Sequence, residues 1–202
     1  PEHLGVSGLV FADQKPQDKY EYIALEKARK YNITAVYFRR FDTGRASIPQ
    51  VYIYDFTQNE WDEDKIGELQ KKLWNSGQVP LFYIFTKTEI KIFNCLQKPK
   101  IDKDKLTVIS SPLETIALAA NIEKELIKLK EFSAKKFDNG TFWDTSKYKN
   151  EFKLNESSYE TLIENLRKIR NDIIQKNIIE KRIVHKLLVM VILVKYLEER
   201  KD

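Results

Sequence analysis

The triplet Glu89-Ile90-Lys91 is the stretch of this sequence whose residue types come closest to a catalytic motif. On a strand, a carboxylate and a lysine two residues apart share one face, because side chains alternate along it. With a second carboxylate on a neighbouring strand, such a pair can hold a divalent cation and orient an attacking water. The chemistry would be metal-dependent hydrolysis of a phosphodiester, as in a nuclease.

The position of the triplet argues against catalysis. A nuclease of the PD-(D/E)XK type carries its acid and its lysine on the two adjacent central strands, before the second helix of the core. At that place the segment "YIYDF" has Tyr52 and Tyr54, and tyrosine does not replace a carboxylate as a ligand of a hard cation. Glu89 and Lys91 come after the second predicted helix, so we interpret them as the water-exposed face of an edge strand. No catalytic residue is therefore assigned.

An active metal-dependent endonuclease, part of a fused restriction enzyme, remains the alternative from another functional class. Its metal ligands would be three isolated carboxylates, Glu26, Asp42 and Asp55. The two histidines, His3 and His185, lie far apart, and neither has a second ligand at zinc spacing. His185 is interpreted as a core or interface histidine. The main interpretation therefore includes no metal site.

Two basic clusters have the composition of a phosphate-binding surface. The segment "FRRFDTGR" places Arg39, Arg40 and Arg45 within seven residues, with only Asp42 as a nearby counter-charge. Arginine suits this role because its planar guanidinium can donate two parallel hydrogen bonds to one phosphate. We expect a surface loop that binds DNA through backbone phosphates rather than through base edges.

The second cluster lies in the predicted C-terminal helices and contains Arg167, Lys168 and Arg170. Further basic residues follow in the next helix, namely Lys181, Arg182 and Lys186. Acidic residues are interleaved with both sets, which favours a solvated helix face over a phosphate site. These acids are Glu164, Asp172 and Glu180.

Composition and charge limit the other classes of function that this chain can have. The chain has 202 residues, 42% hydrophobic and 32% charged, which is typical of a globular protein with a sizeable core. Its net charge of +5 is compatible with an anionic partner. The single cysteine, Cys95, excludes an internal disulfide and predicts a cytoplasmic protein. No G-x-G or G-K-[ST] loop is present for a dinucleotide or a nucleoside triphosphate, and the longest apolar run, 187–194, is too short to span a membrane.

An α+β fold is predicted to position these residues. Residues 1–111 are expected to form a mixed-sheet module of element order α-β-β-α-β-β, and residues 112–202 an all-helical module. The elements of the first module are a helix over 18–33, strands over 34–41 and 50–57, a helix over 62–74 ending before Gly77, a hairpin of "PLFYIFT" and "EIKIFNCL", and an edge strand "LTVISS". Those of the second are helices over 112–137, 157–176 and 178–200.

Four stretches of the chain resemble one protein family: "WNSGQVPLFYIFTKTEIKIFNC", "GRASIPQVYIYD", "GTFW" and "LLVMVILVKYLEER". They are similar to the region before the catalytic domain in bacterial restriction-modification N6-adenine DNA methyltransferases, including the large fused type IIG enzymes. The resemblance runs from about Tyr20 to Arg200. It implies a degenerate PD-(D/E)XK-like core followed by a helical connector.

Two signatures of the methyltransferase itself are absent from this sequence. The family binds S-adenosylmethionine with a Gly-rich loop and the target adenine with an Asn-Pro-Pro-Tyr-like motif, and this chain has neither. We therefore expect an N-terminal accessory region with no cofactor of its own, S-adenosylmethionine belonging to a catalytic domain after it. The expected partners are the DNA backbone, bound weakly, the methyltransferase domain of the same chain and a second copy of this chain; no membrane is expected. A purely structural scaffold that does not contact DNA is the third hypothesis.

Overall fold

The chain divides into two compact units, Pro1–Ser157 and Ser158–Asp202, whereas the predicted module boundary lay near residue 111. None of the helices within the described ranges has both the length and the apolarity needed to cross a membrane. The computed structural model describes residues 8–41, 43–58, 62–102, 108–119, 122–152, 158–176 and 179–198.

Strands of the first unit form a mixed six-stranded sheet and a small two-stranded one. In chain order the strands within the described residues are β1 (Leu9–Phe11), β2 (Ala35–Arg39), β3 (Ile48–Asp55), β4 (Leu81–Phe85), β5 (Glu89–Asn94), β6 (Lys100–Ile101), β7 (Val108–Ile109) and β8 (Glu114–Ala117). The large sheet has the order β1-β2-β3-β4-β5-β8, and β6 pairs with β7. Within the large sheet β3 and β4 are parallel, and the other neighbours are antiparallel. The predicted α+β class with a mixed sheet is confirmed.

Helices of the first unit cover both faces of this sheet. They are α1 (Lys19–Lys30), α2 (Glu63–Ser76), α3 (Ile122–Glu131), α4 (Ala134–Asp138) and α5 (Thr141–Thr145), followed by a 3₁₀ turn (Lys149–Glu151). Helix α2 connects the parallel strands β3 and β4. It begins at Asp62, whose carboxylate accepts the N–H of Asp64 at 3.0 Å, and it ends at Gly77, where φ is 59°. Both ends follow the preferences for an acidic N-cap and a left-handed C-terminal glycine.

Strand β3 lies at the centre of the sheet and contributes to two separate cores. Tyr52 and Tyr54 are buried in the core that includes residues of α1 and α2. Val51 and the partly buried Ile53 belong to the core on the other face, which includes residues of α4 and α5. The alternation in "QVYIYDFT" predicted a strand with two buried faces, and the structure confirms it.

The predicted helix over 112–137 is wrong in its first part. Residues Glu114–Ala117 form β8, which pairs antiparallel with β5, and only the remainder contains α3 and α4. Backbone groups of β5 would otherwise be unpaired along one side, so sheet pairing overrides the helix propensity of this Ala- and Leu-rich segment.

This pairing changes the environment of the acid-x-Lys triplet. Strand β5 is interior, so the expectation that Glu89 and Lys91 form the exposed face of an edge strand is wrong. The Lys91 side chain is only 13% exposed. The predicted edge strand "LTVISS" is also misplaced, since its described part, β7, pairs with β6 rather than with the large sheet.

The second unit contains two helices, α6 (Ser158–Gln175) and α7 (Lys181–Glu198), which contact each other. They lie where the apolar periodicity predicts helices. Many apolar side chains of α7 are exposed to solvent, among them Val191 at 57% and Val194 at 54%, and Leu188 is half-buried.

Candidate nucleic-acid interface

The connection between β2 and β3 contains the predicted arginine cluster; we call residues 39–47 the arginine loop. Strand β2 ends at Arg39, which is the register partner of Ile48 at the start of β3. The two ends of the loop are therefore held side by side by the sheet. Gly44 turns the chain with a φ of 71°, in the left-handed region that glycine adopts without strain. Asp42 lies outside the described residues.

Arg39 and Arg45 converge on one aromatic ring. The guanidinium carbon of each lies 5.0 Å from the centre of the Phe41 ring, within the range of a cation–π interaction. Among the described residues, no carboxylate forms an ion pair with either arginine. The loop thus presents two positive charges that the described part of the protein does not neutralise.

Arg39 is further constrained by a close approach to the segment before α5. Gly140 has a φ of 79°, and a Cβ there would stand 3.0 Å from Nη1 of Arg39. The Nε of Arg39 is buried and has no hydrogen-bond partner among the described residues. Because a buried donor without a partner costs about 1–3 kcal/mol, the described contacts leave this guanidinium incompletely satisfied.

Arg40, the third arginine of the cluster, has a different role. Its Nε donates to Oε1 of Glu21 at 2.8 Å, and the Glu21 side chain is fully buried. The same carboxylate accepts the Ser47 hydroxyl at 3.1 Å and the backbone N–H of Gln17 at 2.8 Å. Arg40 and Ser47 therefore fix the two sides of the arginine loop to the first turn of α1.

Asp18 adds a second link at the same place. As the N-cap of α1 it accepts the N–H groups of Tyr20 and Glu21 at 2.7 and 2.8 Å, and it accepts the N–H of Ser47 at 3.2 Å. Burial by itself would raise the pKa of Asp18, but the hydrogen bonds from Glu21, Ser47 and Tyr20 together lower it. The arginine loop is thus held to α1 by two carboxylates.

Two of the three carboxylates of the alternative nuclease interpretation, Glu26 and Asp55, have partners of their own. Glu26 forms an exposed ion pair with Arg29 at 2.5 Å. Asp55 accepts the hydroxyl and the N–H of Thr57 at 2.6 and 2.9 Å, and these bonds lower its pKa. Across the described residues, no three His, Cys, Asp or Glu side chains are arranged to hold a metal ion. The third carboxylate, Asp42, is outside those residues.

The two tyrosines that occupy the acid and lysine positions in the sequence interpretation are core residues. Tyr52 and Tyr54 are 1% and 3% exposed, and burial raises the pKa of both phenols well above the ordinary value. Cys95 lies in the same core, and burial raises the pKa of its thiol. The two phenols and the thiol therefore stay protonated and uncharged at neutral pH.

The triplet on β5 forms a salt-bridge network. Nζ of Lys91 lies 3.3 Å from Glu89 and 3.1 Å from Glu63 at the start of α2. The network links the sheet to α2, and we assign it a structural role.

The helical basic cluster is partly occupied by contacts within its own unit. Nε of Arg170 donates to Nε2 of His185 at 2.7 Å, and its Nη1 donates to Asn171 at 3.2 Å. His185 is exposed and joins α6 to α7, so the part of the prediction that placed it in the core is wrong. Arg167 and Lys168 are exposed on α6.

Comparison with known proteins identifies no relative of this chain. No protein-family model, no curated protein and no solved structure matches the chain.

Several residues of this interface were not predicted from the sequence. Glu21 follows the inner spacing of α1 with the buried Ala24, Leu25 and Ala28, and that i, i+3, i+4, i+7 pattern was the available signal. The position of Phe41 between two arginines could be seen in the sequence, but the convergence of their guanidinium groups on its ring depends on the turn at Gly44.

Proposed function

We propose that this chain is a non-catalytic accessory region of a restriction-modification DNA adenine methyltransferase, which holds DNA through its backbone phosphates. The observation that carries the proposal is the pair of guanidinium groups, Arg39 and Arg45, on the Phe41 ring. Neither arginine has a counter-ion among the described residues, and such arginines are suited to phosphate because the guanidinium fork matches two phosphate oxygens.

The element order supports a degenerate PD-(D/E)XK-like core as part of this proposal. Helix α1, the antiparallel pair β2–β3, helix α2 and the parallel strand β4 follow one another along the chain. Tyr52 and Tyr54 take the strand positions at which the catalytic acid and lysine would stand. With its four family-like stretches, the chain is best explained as a module that has the nuclease-like framework without the chemistry.

The attachment of both sides of the arginine loop to α1 is the second support. Glu21 and Asp18 hold Arg40 and Ser47 to α1, so little loop entropy is lost when a phosphate binds. Base readout requires side chains that enter a groove. We place none in this loop, so the binding is independent of sequence.

Titration of labelled duplex DNA combined with a nicking assay tests the proposal. The chain is expected to bind duplexes of unrelated sequence equally, with a Kd of roughly 10⁻⁴ to 10⁻⁶ M at physiological salt. It is expected to leave supercoiled plasmid intact with Mg²⁺ or Mn²⁺. Absence of binding even at low salt would favour the structural scaffold. Metal-dependent nicking that is lost in Asp55→Ala would favour the endonuclease.

A further inference from the structure

Two adjoining cavities lie next to the arginine loop, where β3 begins. Each has a volume of about 390 Å³, and they share the lining residues Ile48, Pro49 and Gln78. This size is in the range of small-ligand pockets. Ile48 is also the register partner of Arg39, so cavities and guanidinium group occupy neighbouring positions at one end of the sheet.

One of the two cavities, here named the amide cavity, is lined by Gln50, Gln78, Trp143 and Phe152. The rings of Trp143 and Phe152 have centroids 5.2 Å apart and are nearly perpendicular, at 83°. Aromatic side chains in a cleft offer faces on which a flat heterocycle can stack.

Gln50 brings a donor with poorly satisfied hydrogen bonds to the amide cavity. It is 6% exposed, and its Oε1 accepts the indole N–H of Trp143 at 3.0 Å. Because an indole nitrogen only donates, this bond fixes which end of the amide is the oxygen. The Nε2 group is left with two contacts of 3.5 Å, to the carbonyls of Ile48 and Pro49, at the far limit of a hydrogen bond.

Gln78 brings an acceptor. Its Oε1 is buried and has no hydrogen-bond partner among the described residues. Buried polar atoms are normally satisfied, so an unpartnered one at a cavity points to a ligand. Rotation about the terminal amide torsion, which has a broad energy profile, can present this oxygen to a molecule in the cavity.

We propose that the amide cavity binds one unpaired nucleobase of DNA, with the adjacent phosphate on Arg39. The Watson–Crick edge of a free base has a donor beside an acceptor, which complements Gln78 Oε1 and Gln50 Nε2. Because the rings of Trp143 and Phe152 are nearly perpendicular, only one of them, Trp143, stacks on a face of the base. In a duplex this edge is occupied by the partner base, so the cavity selects single strands. Gly140, which lies against Arg39, is three residues before Trp143, so one short segment positions both the phosphate ligand and the stacking ring. The inference rests on the proposed function only in taking nucleic acid as the ligand.

Fluorescence anisotropy with the full chain tests the amide cavity. A labelled deoxyadenylate ten-mer is compared with an abasic ten-mer of equal length and charge. One stacked base is expected to make the deoxyadenylate bind about tenfold more tightly. In Gln78→Leu the ratio should fall below about threefold, while the affinity for the abasic oligomer stays unchanged because Arg39 and Arg45 remain.

Gln70→Leu is the matched control. The Oε1 of Gln70 is likewise buried and has no hydrogen-bond partner among the described residues, but Gln70 lies on α2 outside the amide cavity, so the ratio should stay near tenfold. Trp143→Phe keeps a ring and removes the indole N–H that orients Gln50, and it should lower the ratio as well. Circular dichroism melts establish that each variant is folded.

Equal affinity for the two oligomers, or an unchanged affinity ratio in Gln78→Leu, would overturn the proposal that the amide cavity binds a base. Duplex binding could still support the proposed function in that case. Failure of every oligomer and of duplex DNA to bind would overturn both. A riboadenylate ten-mer is expected to bind no more tightly than the deoxy oligomer, and tighter binding would contradict the assignment to DNA.

Discussion

The arginine loop and the basic segment of α6 each carry three positively charged side chains within a few residues, and their surroundings differ. In the loop, Arg40 is paired with the buried Glu21, and the other two guanidinium groups lie on Phe41. On α6, Arg170 is bonded to His185, and Arg167 and Lys168 are exposed side chains of a helix with interleaved acids.

The two segments have similar positive charge but differ in how firmly their side chains are held in place before a ligand binds. Both segments attract a polyanion at long range, but only the loop holds guanidinium groups in place through a buried carboxylate and an aromatic ring. Binding to fixed groups loses less side-chain entropy than binding to mobile ones, by about 0.5–1.5 kcal/mol per side chain. We therefore assign the phosphate contacts to the loop and a solvated role to the helix.

The largest effect is expected when the anchor of the loop is removed. Glu21→Gln should lower the free energy of unfolding by about 2–3 kcal/mol, because it removes the buried negative charge that pairs with Arg40. A fully buried pair would lose roughly 3–5 kcal/mol, and Arg40, whose side chain is 26% exposed, regains part of this by hydration. Urea unfolding followed by circular dichroism measures the change.

Glu26→Gln is the matched control in the same helix. Glu26 pairs with Arg29 at the surface, with 49% of its side chain exposed, so its loss should cost less than about 0.5 kcal/mol. Equal losses in the two variants would mean that Glu21 does not anchor the loop.

An intermediate effect is expected for self-association through α7. Val191 and Val194 are more than half exposed, and apolar side chains of this kind favour contact between copies of the chain. Analytical ultracentrifugation should detect a dimer whose dissociation constant rises at least about tenfold in Val191→Lys/Val194→Lys, because two charged side chains would have to lose water at the contact. Ile127→Lys, at a 64% exposed position of α3, should leave the dimer unchanged. A monomer at every concentration would contradict this prediction.

The periodicity of apolar residues along the chain was sufficient to predict the central strands and helices, but it was insufficient to predict the strand at the edge of the sheet. The alternation of β3 and the caps of α2 at Asp62 and Gly77 are local signals, and both elements were predicted. Strand β8 was not, because its four residues lie in a longer Ala- and Leu-rich segment and its conformation is set by pairing with β5, more than twenty residues earlier.

Only the positive charges of the candidate site were predictable from the sequence. Arg39, Arg40 and Arg45 are evident as a cluster, but pairing of Arg40 with Glu21 joins residues 19 positions apart. The bond from Trp143 to Gln50 joins residues 93 positions apart. Such contacts depend on how helices pack on the sheet, so the sequence alone did not distinguish a structural arginine from the two available ones.

The salt dependence of duplex binding tests the assignment of the phosphate contacts most directly. Each phosphate contact adds about −0.9 to the slope of log K against log salt, so Arg39→Gln/Arg45→Gln should make the slope shallower by about 1.8. Arg167→Gln/Lys168→Gln removes the same charge from α6 and should change it by less than about 0.5. Fluorescence anisotropy across a salt series measures both slopes. A shallower slope in the α6 variant together with an unchanged slope in the loop variant would contradict the account.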